Sequence, residues 1–105
     1  MSEIGGIDEG KLSVEIGRGA RAKAVLDSDI YIEAFDSVRK AIFDKWESCP
    51  IRDKDGQHEL KIMLKLLKDV DGYLRQVADT GKMASIQLEQ DRTLKAKAKR
   101  FFRAA

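Results

Sequence analysis

The chain carries a single cysteine, Cys49, and a single histidine, His58, nine positions apart. A Cys–His nucleophile pair needs its two side chains within hydrogen-bond reach, which here requires a tight turn between them. A small side chain filling a gap at a helix end accounts for Cys49 with fewer demands. His58-Glu59 lacks the second histidine of a zinc-protease pair, and no further Cys or His completes a zinc site. The run Asp53-Lys54-Asp55-Gly56 has the types found in the middle of a calcium loop. With Gly56 at loop position six, however, Ile51 and Ile62 occupy positions one and twelve, where carboxylates are required. Gly17-Arg18-Gly19 lacks the remainder of a phosphate-binding loop and reads as a hinge.

Paired carboxylates give no more. Asp27/Asp29 and Asp69/Asp71 are two apart, so each pair splits between different faces of a helix. Glu33 and Asp36 lie one turn apart on a solvent face, where solubility and i,i+4 pairing with Lys or Arg explain them. The expectation is a protein that is not an enzyme and that needs neither metal nor cofactor.

The basic end of the chain is the strongest functional signal. Residues 1–91 hold all 18 acids against 14 Lys or Arg, whereas residues 92–105 hold six cations and no acid. Six cations this close repel one another unless an anionic surface neutralises them. On a helix Arg92, Lys95, Lys99 and Arg103 form one stripe, with Arg100 beside it, and Leu94, Ala98, Phe101 and Phe102 lie on the adjoining face. That design suits a partner protein, a membrane surface or, through counterion release, DNA phosphates. No DNA-reading motif accompanies it, so sequence-specific readout is not expected.

The elements that must position these groups are helices. At 105 residues, 43% hydrophobic and 36% charged, the chain suits one small domain with tails. Its longest apolar run falls far short of a membrane span, and the start of the chain lacks signal-peptide character, so a cytoplasmic product is expected. Five of the eight glycines fall within residues 1–19, predicting a flexible or extended arm in which Leu12, Val14 and Ile16 alternate like a strand. Ala20 to Leu26 predicts a short helix, and Asp27-Ser28-Asp29 a cap for the next. Tyr31, Phe35, Val38, Ile42 and Trp46 then form one helical stripe that Cys49-Pro50 ends.

After a turn over Ile51 to Gly56, a second helix starts near Gln57, with a stripe at Leu60, Met63/Leu64, Leu67, Val70, Leu74 and Val77. Thr80-Gly81 predicts its stop. A third helix follows from about Lys82 to Phe102, with a break open near Gln90 to Thr93. The predicted fold is therefore all-α: an antiparallel helical hairpin with a short preceding helix, a C-terminal basic helix and an extended N-terminal arm. Its segments are an arm over 1–19, a helical domain over 20–91 and a basic amphipathic tail over 92–105. The second helix has apolar residues to spare, and Leu60, Ile62, Leu66 and Tyr73 are the expected homo-oligomer interface. Gly72 inside it either admits another backbone or is a weak point on the solvent side.

The segments Gly19-Ala20-Arg21-Ala22-Lys23-Ala24-Val25-Leu26, Ile32-Glu33-Ala34-Phe35, Trp46-Glu47-Ser48-Cys49-Pro50-Ile51-Arg52-Asp53 and Gly81-Lys82-Met83-Ala84 together resemble short helical proteins of tailed bacteriophages and prophages, encoded among head and packaging genes. The resemblance covers about residues 17–86 and rests on structural rather than catalytic motifs. It implies a virion or assembly component that oligomerises, docks on other phage structural proteins, and passes from the host cytoplasm into the particle. The alternative it leaves open is a DNA-packaging accessory similar to a small terminase subunit, with the basic tail on nucleic acid.

Overall fold

The computed structural model describes residues 8–104, Ala104 by its backbone alone. Among them are three helices and no strand: α1 (Glu9–Leu26), α2 (Asp29–Ser48) and α3 (Lys54–Ala104).

The first helix starts where Asp8 caps it. Its carboxylate accepts from the Lys11 backbone N–H at 3.0 Å, and its carbonyl accepts from Leu12 N–H. The arm expected over 1–19 is thus helical from Glu9 onward; residues 1–7 lie outside the described residues. The apparent alternation of Leu12, Val14 and Ile16 conceals an i,i+4 pair. Leu12 is buried and Ile16 half-buried on one helix face, while Val14 is 62% exposed.

Between α1 and α2 the chain breaks for two residues. Ser28 sits in extended backbone (φ −69°, ψ 129°) and its hydroxyl accepts from the Tyr31 N–H at 3.5 Å. Cys49 ends α2 in extended backbone as well (φ −73°, ψ 127°), the conformation a residue before proline prefers. Asp53 then caps α3, accepting from the Gly56 N–H at 3.0 Å, while Gln57 Nε2 donates to the Pro50 and Ile51 carbonyls. This cap draws the start of the helix back from Gln57 to Lys54.

The third helix runs 51 residues, through Gly72 and Gly81 and through residues 90–93 without interruption. Gly81 is not a stop, and the helix expected from about Lys82 is the continuation of the one expected from Gln57. An interior glycine costs about 1 kcal/mol, too little to end a helix whose packing requires the missing Cβ.

The chain divides into two compact units. One joins residues up to Arg21 with those from Val77 onward. In it Leu12, Ala84 and Leu88 form a buried cluster with Ile16 against it. Beside the cluster α1 and α3 meet at Gly19 and Gly81: a Cβ built on either would lie 2.7 Å from the other's Cα. No side chain fits there, so the two glycines set how closely these helices approach.

The other unit spans Ala22–Gln76. Ala22, Ile42 and Leu60 are its buried apolar residues, with Tyr31, Phe35, Leu64, Leu67 and Leu74 half-buried. The Tyr31 hydroxyl donates to Asp71 Oδ1 at 2.7 Å, joining residues 40 positions apart. Gly72 has nothing within 4 Å of a built Cβ and faces open space.

Candidate functional site

Helical spacing decides which apolar side chains remain available for a partner. On the first half of α3, Leu60, Leu64, Leu67 and Leu74 turn inward. Leu60, expected at an oligomer interface, is only 8% exposed, because it falls on the same turn-by-turn face as Leu64 and Leu67. The remaining interface candidates are exposed: Ile62 at 44%, Leu66 at 58% and Tyr73 at 59%. Val70 joins them at 60%, so positions 62, 66, 70 and 73 make one uncovered apolar stripe. Val70, expected on the same stripe as Leu60 and Leu67, is instead exposed, because the near-heptad spacing admits two phases and burial follows the other.

The basic end is helical through Arg103, and Arg92, Lys95, Lys99, Arg100 and Arg103 are all exposed. Lys95 differs from the rest: its Nζ lies 3.0 Å from Oδ2 of Asp91, a largely buried carboxylate one turn earlier. Leu94, Phe101 and Phe102 are exposed on the adjoining face, the two rings meeting edge to face at 5.6 Å. The helix is thus amphipathic with both faces uncovered.

Glu33 and Asp36, expected to be absorbed by i,i+4 pairing with Lys or Arg, instead share one stripe with Asp29. Asp29, Glu33 and Asp36 follow one another at spacings of four and three on α2, all exposed, with no Lys or Arg between residues 27 and 36. The i,i+4 pairs expected to absorb such acids form elsewhere: Lys23–Asp27, Lys40–Asp44, Lys65–Asp69, Arg75–Asp71 and Lys95–Asp91. Among the described residues none engages Asp29, Glu33 or Asp36. The signal is present in the sequence as a base-free run of fifteen residues, 24–38.

The titrating groups with displaced pKa values serve structure. Arg75, donating to Asp71 at 2.7 Å, and then the Tyr31 hydroxyl hold the Asp71 carboxyl below the usual carboxylate range. Partial burial, with Asp71 adding to it, pushes the Tyr31 phenol up. The Asp71 contribution is therefore present above the unfolded carboxylate pKa of about 4 and lost as pH falls through its lower folded value. That of Tyr31 is present below about pH 10 and lost as pH rises through its raised folded value. Tyr31→Phe is expected to cost about 1 kcal/mol at neutral pH and to make the acid loss of stability smaller. Urea titrations at pH 7 and pH 3 check both.

At the end of α2, partial burial raises the Cys49 thiol, and the Asp53 carboxylate raises it further, with Sγ donating to Asp53 Oδ2 at 3.9 Å. A raised thiol is a poor nucleophile at neutral pH. Alkylation of Cys49 should show a midpoint above that of an unstructured cysteine peptide. Asp53→Asn, which keeps an oxygen for the α3 cap, should speed it.

Among the described residues no group of three or more His, Cys, Asp or Glu is placed to hold a metal ion, and no helix is long and apolar enough to cross a membrane. A shallow depression lined by Glu89, Gln90, Thr93 and Leu94 draws on one stretch of α3 and converges no catalytic set. Among the described residues the surface carries an exposed apolar stripe, an exposed basic amphipathic helix and an exposed acidic stripe. No family model, curated protein or solved structure matches this chain.

Proposed function

We propose that the protein is a non-enzymatic assembly component that acts by self-association and docking, in concrete form a structural or assembly protein of a tailed-phage virion with other structural proteins of the particle as partners. The supporting observation is the uncovered stripe Ile62, Leu66, Val70 and Tyr73 on α3. In this reading α2 and the first half of α3 are an antiparallel hairpin, consistent with the Tyr31–Asp71 bond across the turn, and a second copy covers the outer face.

The burial gain of such a pair is of the same order as the cost of association. Full burial of such a side chain yields roughly 1.5–3 kcal/mol. These four are about half exposed, so a two-fold pair, with four from each copy, gains about 6–12 kcal/mol. Lost rigid-body freedom costs about 4–15 kcal/mol, so the stripe alone roughly balances that cost. The flanking exposed apolar residues add to the gain.

Light scattering on a sizing column tests the reading. The expected result is a defined multimer that persists at high salt. Leu66→Glu with Val70→Glu is expected to reduce it to a helical monomer, weakening association at least a hundredfold. A wild-type mass of one chain at every concentration would overturn self-association. Peptides of the chain in purified particles from a host carrying its coding sequence test the virion role, and their absence overturns it.

A further inference from the structure

We infer that the basic C-terminal stretch of α3 docks on the acidic N-terminal stretch of α2 of another copy, a head-to-tail contact separate from the apolar α3 stripe. The inference rests on the self-association reading and adds a second contact to it.

Register carries the argument. The acidic stripe is Asp29, Glu33 and Asp36, with spacings of four and three. Read backwards, Lys99, Lys95 and Arg92 have the same spacings of four and three. Two antiparallel helices therefore set Asp29 against Lys99, Glu33 against Lys95 and Asp36 against Arg92, over about 11 Å of axis. All six residues are exposed, and among the described residues only Lys95 has an ion pair within its own chain. Apolar groups flank both stripes: Ile30 at 72% and Ile32 at 46% exposure beside the acids, Phe102 at 74% beside the bases.

This occupant accounts for both charged stripes at once, which the others do not. A nucleic-acid backbone would neutralise the cations and leave Leu94, Phe101 and Phe102 in water. An anionic bilayer would take both faces of the basic helix, but it would leave the spacing match and the unpaired acids of α2 without a role. A contact between two different patches is heterologous, and repeated from copy to copy it makes a ring or an open chain.

The test uses full-length protein and two charge-reversed variants, Arg92→Glu/Lys99→Glu and Asp29→Lys/Asp36→Lys, each verified as helical by circular dichroism. Sedimentation velocity at low salt should show wild type in assemblies larger than the salt-resistant multimer. Those should fall to that multimer as salt rises, the association constant dropping about tenfold or more. Each variant alone should stay at the smaller size at low salt. An equal mixture should regain the larger assemblies, because each variant's tail then meets an opposite charge on the other's α2.

A tail-reversed variant that assembles like wild type overturns the inference, and so does a mixture that fails to co-assemble. Loss of binding to duplex DNA or to anionic phospholipid vesicles, with assembly unchanged, overturns it in favour of that partner. A wild-type multimer with no salt-sensitive stage overturns the head-to-tail contact and leaves self-association standing. A monomer at every salt overturns both.

Discussion

Replacing Gly81 with alanine is expected to destabilise the protein by about 1–3 kcal/mol, although alanine is the better helix former by about 1 kcal/mol. The added Cβ would stand 2.7 Å from the Cα of Gly19 and 2.8 Å from the Glu15 carbonyl oxygen. Both obstacles are backbone, so no side chain can swing aside. The helices must separate, and separation loosens the contacts among Leu12, Ile16, Ala84 and Leu88. Gly72→Ala is the internal control, since its Cβ meets open space. It should stabilise by about 1 kcal/mol through the same propensity term. The same chemical change in one helix is thus expected to have opposite signs, about 2–4 kcal/mol apart. Urea unfolding followed by circular dichroism measures both, and faster amide exchange in residues 9–19 and 77–91 should accompany Gly81→Ala. Equal effects at the two glycines would refute the packing role of Gly81.

The second large effect is expected at Ile42, 3% exposed and the most buried large side chain of the unit spanning Ala22–Gln76. Ile42→Ala should cost about 2–4 kcal/mol, the transfer loss plus the space left behind. A small chain has only about 5–15 kcal/mol of net stability, so the variant should melt at least several degrees lower. Ile42→Val should lose about 1 kcal/mol, which separates a packing effect from general intolerance at the site. Neither substitution touches Ile62, Leu66, Val70 or Tyr73. Association of the folded fraction should therefore be unchanged, and a shift in multimer mass under native conditions would show Ile42 coupled to the docking surface.

Much of the second helix was legible because its signals are local. Ser28 caps it through its own hydroxyl, Pro50 constrains Cys49, and of the expected stripe Tyr31, Phe35 and Ile42 are covered while Val38 and Trp46 stay 47% and 46% exposed. The charge imbalance between residues 1–91 and 92–105 is likewise a property of the chain, as is the shortage of catalytic residue types. These features need no knowledge of what lies across the fold.

α1 and α3 depart from the sequence expectation because distant contacts override weak local preferences. Glycines at 10, 17 and 19 argue locally against a helix, and Thr80-Gly81 argues locally for a stop. Each such preference is worth about 1 kcal/mol. Gly19 and Gly81, 62 positions apart, form a helix contact that only the absence of both side chains allows. Leu60 lies inside and Val70 outside, the reverse of the expectation, for a related reason: α3 carries apolar residues on more than one face, and spacing along one segment does not say which face is covered. Helical character, charge asymmetry and the ends of α2 were set by neighbours in sequence. The length of α3, the helicity of Glu9–Gly19 and the identity of the uncovered stripe were set by contacts between residues far apart in the chain, which spacing in one segment cannot encode.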